Sequence, residues 1–257
     1  MTFIDTHCHL TDEAFGEDQE QVIARSLEAG VSMMLQADID SREREAMYTL
    51  VDRHPECLRP MLGLYPGSVE KDWQEEIDLM LPYLDKRPDI VAIGEIGLDY
   101  HYGAERRREQ IDAFRAQLEL AAERNLPVNI HLREATEDFF DVLESCRQFP
   151  LRGNMHAYSG SYETFQRLCR YGEWYLGIGG VVTFKKASLQ GVVARVPLER
   201  LLLETDAPYL TPVPYRGTRN ESSYIPIIAA KIAELKGISI ETVAAVTTQN
   251  ARNLFNI

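Results

Sequence analysis

Eight short apolar runs, separated by longer segments with helical periodicity, constrain this chain more than any other feature. The runs are Phe3-Ile4, Val31 to Leu35, Leu58 to Leu64, Ile90 to Ile93, Pro127 to Ile130, Gly153 to Met155, Trp174 to Ile178 and Leu201 to Leu203. Several are apolar throughout rather than alternating, as strands are when a parallel sheet is covered by helices on its faces. Between them, Glu17 to Ala29 spaces Val22, Ile23, Leu27 and Ala29 as one face of a helix. Arg106 to Arg124 does the same with Ile111, Phe114, Leu118 and Ala121-Ala122. Gly30 stands where a helix stop belongs, just ahead of the next run. Strand–helix alternation repeated eight times predicts an α/β fold of the TIM type, a (β/α)₈ barrel. The tail from Asn220 onward holds two further helical patterns and no strand. A barrel of this kind takes about 250 residues, and the sequence has no linker or low-complexity stretch, so residues 1–257 are expected to form a single barrel domain.

Composition narrows the function classes. No apolar run approaches the roughly 18 residues that span a bilayer, and the N-terminus lacks a basic segment followed by an apolar one, so a cytoplasmic location without membrane association is expected. Cys8, Cys57, Cys146 and Cys169 are scattered without CxxC spacing and read as reduced thiols. The net charge of −13 counts against non-specific duplex binding, which depends on Lys and Arg releasing counterions. A pair of bound dications would reverse the local field, so a nucleic-acid substrate stays open. No basic stripe interleaved with aromatic residues marks a strand-binding groove; Lys185-Lys186, and Arg216 with Arg219, are the best local cationic candidates, though such a lysine pair is usually a solvated loop. No obligatory protein partner is evident.

The chemistry-bearing residues fall at one end of the predicted strands. His7 and His9 end the first, Glu95 follows the fourth, His131 ends the fifth, His156 the sixth, and Asp206 follows the eighth. The C-terminal ends of the strands carry the active site in such barrels. Side chains alternate along a strand with period two, so His7 and His9 point together into the mouth and Cys8 points away, into the barrel wall. Taken singly, each residue has a bland reading: a structural histidine, a loop glutamate, an aspartate capping a helix. Taken together, four of six histidines and two acids at the ends of five strands form a metal-ligand set. Imidazole and carboxylate suit Zn, Mn, Co or Ni, and the oxygen-rich positions admit Mg. His54 reads as a surface residue, and His101 carries no assigned role.

Six motifs carry a resemblance. They are Phe3-Ile-Asp-Thr-His-Cys-His-Leu10, Ala92-Ile-Gly-Glu-Ile-Gly-Leu-Asp-Tyr100, Leu126-Pro-Val-Asn-Ile-His-Leu-Arg133, His156-Ala-Tyr-Ser-Gly160, Leu202-Leu-Glu-Thr-Asp-Ala-Pro-Tyr-Leu210 and Arg219-Asn-Glu221. Spread over almost the whole chain, they resemble the TatD family of metal-dependent hydrolases and deoxyribonucleases, within the amidohydrolase-like barrels. The resemblance implies two divalent metal ions, one on His7, His9 and Asp206, the other on His131 and His156, with Glu95 bridging both. It also implies a phosphodiester substrate, DNA in short or single-stranded form, cleaved from a 3′ end. Glu204 reads as support for a ligand, and Arg133 as a phosphate contact or a structural ion pair.

Two positions depart from the family pattern. Gly63-Leu-Tyr-Pro66 stands where the family usually has Gly-x-His-Pro, so Tyr65 replaces a histidine that faces substrate. A phenol donates a hydrogen bond but is no acid near neutral pH. Glu221 is followed by Ser222 where the family commonly has proline. The expected mechanism is two-metal hydrolysis, with a bridging water lowered toward a pKa of ~7 and Asp206 accepting its proton; Asp206 and Glu95 are the catalytic pair. Two alternatives stand beside it. One is an amidohydrolase-type enzyme acting on a small ester, lactone or amide, motivated by Tyr65. The other is a non-catalytic metal-binding interaction module.

Overall fold

The computed structural model describes residues 1–257. Its strands are β1 (Phe3–Cys8), β2 (Val31–Gln36), β3 (Leu58–Leu62), β4 (Ala92–Asp99), β5 (Val128–Arg133), β6 (Arg152–Met155), β7 (Glu173–Ile178) and β8 (Leu201–Leu203). They are parallel and hydrogen-bonded in chain order. The ring closes where the His9 amide donates to the Ala207 carbonyl at 2.8 Å and the Asp206 amide to the His7 carbonyl at 2.9 Å. The same two contacts place His7, His9 and Asp206 side by side. All eight predicted runs are strands.

The helices are α1 (Gln19–Glu28), α2 (Ser41–Arg53), α3 (Trp73–Asp78), α4 (Leu81–Lys86), α5 (Tyr100–Gly103), α6 (Arg107–Glu123), α7 (Thr136–Ser145), α8 (Tyr162–Leu168), α9 (Leu189–Arg195), α10 (Ile225–Lys236) and α11 (Ile240–Phe255). The two periodic segments read from sequence are α1 and α6, and the tail forms α10 and α11. Ser239 caps α11 by accepting from the Thr242 amide, and Gly237 ends α10 in the left-handed region, where glycine has no Cβ penalty. No helix is long and apolar enough to cross a membrane.

The barrel interior is divided along its axis. Ile4, Leu35, Met61, Ala92, Tyr175 and Leu202 come from six strands yet pack together and against Ala251, Leu254 and Phe255 of α11. Strands on opposite sides of a barrel meet only inside it, so this cluster is the apolar plug at the N-terminal end. The C-terminal end is polar and carries the site.

Two irregularities aim the polar residues. From Asp5 to Cys8, β1 advances three residues while β2 advances two, and β4 does the same against β5 from Ile93 to Ile96. Such bulges re-aim side chains, often beside active sites. Glu95, expected just past the fourth strand, lies inside β4, because pairing resumes after the bulge and runs on to Asp99. Gly97 has φ +140° and sits against the His131 backbone with no room for a side chain, which lets β4 and β5 approach there.

Candidate metal centre

Four ligand-type atoms converge at the end of β1. His7 Nε2 and His9 Nε2 are 3.0 Å apart. Glu95 Oε2 lies 3.3 Å from the first and 3.5 Å from the second, and Asp206 Oδ1 lies 3.6 Å from each. Atoms bound about 2.1 Å from one tetrahedral ion stand ~3.4 Å from one another, so the spacing is that of a ligand shell. The other oxygen of the same carboxylate faces a second group: Glu95 Oε1 is 2.8 Å from His131 Nδ1 and 3.3 Å from His156 Nε2. The structure thus brings all six sequence-predicted residues together, with Glu95 between two clusters and one oxygen turned to each.

The imidazoles are held from behind. His7 Nδ1 contacts Asn129 Oδ1 at 2.9 Å, His131 Nε2 contacts Asp99 Oδ2 at 2.9 Å, and His156 Nδ1 is 3.3 Å from Glu204 Oε1. Partners of this kind fix ring orientation and tautomer. Glu204 also accepts from the Ala157 amide at 2.5 Å, and any side chain at Gly177 would overlap its carboxylate. Below Glu95, the Asp38 carbonyl accepts from the Glu95 amide at 3.2 Å. The Asp38 carboxylate accepts from the Gly63 amide at 3.2 Å and from Arg44 Nε at 2.8 Å, both residues being buried. One buried ion pair therefore fastens the ends of β2, β3 and β4.

The donor set fits divalent cations. Glu95 and Asp206 converge with four imidazoles, and no lysine or arginine is among them. Burial alone raises the Glu95 carboxyl, but His156 and His7 outweigh it and hold the group well below the usual carboxylate range. Asp206 is likewise lowered, against its burial, by His156, His9 and His7. Burial, together with His156, lowers His7 and so favours its neutral, ligating form. His9, His131 and His156 are instead pushed up, against their burial, by the carboxylates beside them, and dications bound here would take over that compensating positive charge.

Around this centre the remaining candidates divide. Tyr65, half-buried, stands edge-on to His131 with ring centroids 5.2 Å apart, and its hydroxyl donates to Asp99 Oδ2 at 3.4 Å. Burial and the charges of Glu95 and Asp99 push its phenol up, so it stays protonated. Arg133 is exposed at the end of β5, its guanidinium 4.9 Å from the Tyr102 ring centroid and outside any ion pair. Arg219 pairs with Asp18 and Glu221, and Asn220 Nδ2 donates to the Thr205 carbonyl at 2.8 Å, so Arg219-Asn220-Glu221 braces the loop after β8. Cys8 is buried, its thiol 3.5 Å from the Leu35 carbonyl and away from the ligand atoms. His54 contacts Glu20 at 2.9 Å and His101 contacts Glu134 at 2.9 Å, both away from the centre.

Asp99 and Asn129 have support roles that the sequence reading did not assign. The signal was present: each lies an even number of residues along the same strand from a ligand, Asp99 from Glu95 and Asn129 from His131, and so shares its face. Asp38 and Arg44 gave no comparable signal, because their partners come from other strands.

A parallel barrel with a cluster of imidazoles and carboxylates at its C-terminal end is the arrangement of a metal-dependent hydrolase, and comparison with known proteins narrows it. Residues 4–256 match the family described as TatD related DNase, and the chain belongs to that family. It is 39% identical over 254 residues to the uncharacterized metal-dependent hydrolase YabD of Bacillus subtilis, covering 98% of each chain. It is 36% identical over 259 residues to the 3′-5′ ssDNA/RNA exonuclease TatD of Pantoea ananatis, covering 98% of this chain and 99% of that one. The crystal structure of YJJV, a TatD homolog from Escherichia coli, superposes with a TM-score of 0.92 at 30% identity, covering 99% of this chain and 98% of that one. The protein is accordingly a metal-dependent hydrolase, and the interaction-module alternative falls away.

Proposed function

We propose that this hydrolase, a single barrel domain acting in the cytoplasm, removes nucleotides from the 3′ end of short or single-stranded DNA with two divalent cations. His7, His9 and Asp206 would hold one cation, His131 and His156 the other, and Glu95 would contribute to both. The observation that carries the reading is the Glu95 carboxylate, whose two oxygens face two separate groups at 2.8–3.5 Å. Bound there, such cations would supply water activation near neutral pH and charge stabilisation at a phosphoryl group. Asp206, kept ionised by its histidine neighbours, takes the proton of the attacking water at its carboxylate. Asn129, Asp99 and Glu204 keep the imidazoles aimed. Tyr65 offers a hydroxyl donor where an imidazole acid is usual, and Arg133, free of any carboxylate, is available to a phosphate. The name of the Pantoea relative supports single-stranded nucleic acid as substrate.

The test is degradation of a short 5′-labelled single strand with Mg, Mn or Zn. A ladder of shortened products that disappears on chelation and in Glu95→Ala is expected. Intact DNA alongside metal-dependent cleavage of lactones or N-acyl amino acids would overturn the nuclease in favour of a small-substrate hydrolase.

A further inference from the structure

A cavity of about 110 Å³ opens beside Asp206, between the loops that follow β6, β7 and β8. Tyr158, Val181, Ala187 and Leu210 give it apolar walls, and Ser159 and Ser188 add hydroxyls. Its charged lining residues, Glu204 and Asp206, are both acids, and the Glu204 carboxylate is turned to His156 and the Ala157 amide. The walls are held in place: the Tyr158 hydroxyl donates to the Ser161 carbonyl at 2.6 Å, and Gln190 Nε2 donates to the Val182 carbonyl at 2.9 Å and to the Phe184 carbonyl at 3.0 Å.

The rim has the opposite charge. Lys185 and Lys186 directly precede the lining residues Ala187 and Ser188, and both are exposed. Arg216 lies over the Phe184 ring, 4.3 Å from its centroid. Arg106, Arg107 and Arg219 are tied to acids, to Glu70, Asp138 and Asp18; Lys185, Lys186 and Arg216, like Arg133 at the end of β5, are not. An anionic group is disfavoured inside, where buried Glu204 stands among apolar walls, and attracted outside, at the rim. The occupant this charge pattern selects has an uncharged, largely apolar part and an anionic tail.

We infer that this cavity receives the nucleobase of the 3′-terminal nucleotide, while the strand's phosphates remain at the metal centre and the cationic rim. The inference rests on the nuclease reading and deepens it by naming a subsite. Its contacts are apolar walls and two hydroxyls rather than a fixed set of charged groups, so the subsite grips any base and reads its identity weakly, as stacking platforms do.

The test compares a 5′-fluorescein-labelled hexanucleotide with the same strand whose 3′-terminal nucleotide is abasic, both at subsaturating concentration with the metal-loaded enzyme. Base contacts of this kind change binding by roughly tenfold, so the wild-type protein is expected to cleave the complete strand about ten times faster at its terminal linkage. In Ala187→Phe, which fills the cavity, the ratio is expected to fall toward one, and Val181→Phe provides a second filled variant. Equal rates on both strands in the wild type, or an undiminished ratio in both filled variants, would overturn the subsite and leave the nuclease standing. Absence of product from either strand in the wild type would overturn the nuclease reading and the subsite with it.

Discussion

The two halves of the proposed metal centre meet at Glu95 and differ in what stands behind their imidazoles. His7 is backed by the neutral amide of Asn129, whereas His131 and His156 are backed by the carboxylates of Asp99 and Glu204. A carboxylate behind an imidazole raises its basicity as a ligand. The His7–His9 half instead has an extra carboxylate, Asp206, in the ligand group itself. One half gains anionic character directly and the other at one remove. Access does not separate them: each half has a closed imidazole, His7 or His156, and a more open one, His9 or His131, the latter facing Tyr65.

The largest effect is expected where the difference between the halves disappears. Arg44→Met leaves the buried Asp38 carboxylate without its partner, under the strand that carries Glu95. Loss of one member of a buried pair costs roughly 3–5 kcal/mol, so chemical denaturation should show a stability loss of that order, and metal binding should weaken in both halves together. A change below about 1 kcal/mol would show that the pair does not fasten the site.

A single-half effect comes next. Removing such a support lowers metal affinity roughly 10–100-fold, so Asp99→Ala is expected to weaken the His131 cation by that factor in a Mn titration and to leave the His7 cation near its original affinity. Asn129→Ala is expected to do the reverse, at the lower end of the range because the lost partner is neutral. Equal weakening of both cations by either variant would erase the distinction between the halves.

Tyr65→Phe makes the smallest change. It removes a hydrogen bond to the Asp99 carboxylate, and at 3.4 Å this bond falls below the strength of a well-formed charge-assisted one, at about 1 kcal/mol. A loss of severalfold in kcat/KM is expected, with no shift in the pH profile between pH 6 and 8, because the phenol stays protonated there. A pH-dependent loss would make Tyr65 a proton donor and contradict its assignment.

Much of this was legible in the chain. Short apolar runs marked all eight strands, several of them apolar throughout because strands buried on both faces have no polar side to disguise them. The candidate ligand residues were legible because histidine is scarce here and its positions coincide with strand ends. Strand limits were less so: β4 continues through Glu95 to Asp99 past a bulge, and pairing across a bulge depends on the neighbouring strand rather than on local pattern. The cationic candidates Lys185, Lys186, Arg216 and Arg219 were legible, but not which of them an acid claims. Arg219 pairs with Asp18 and Glu221 while Arg216 lies over Phe184, contacts set by side-chain geometry.

The most direct test of the account is the number of Mn ions bound per chain, measured by equilibrium dialysis and elemental analysis, in the wild type and in Glu95→Ala. Two cations sharing one carboxylate predict two Mn per chain in the wild type and a joint loss of affinity for both in the variant. A single Mn per chain in the wild type, or two that bind undiminished without Glu95, would contradict the bridged centre.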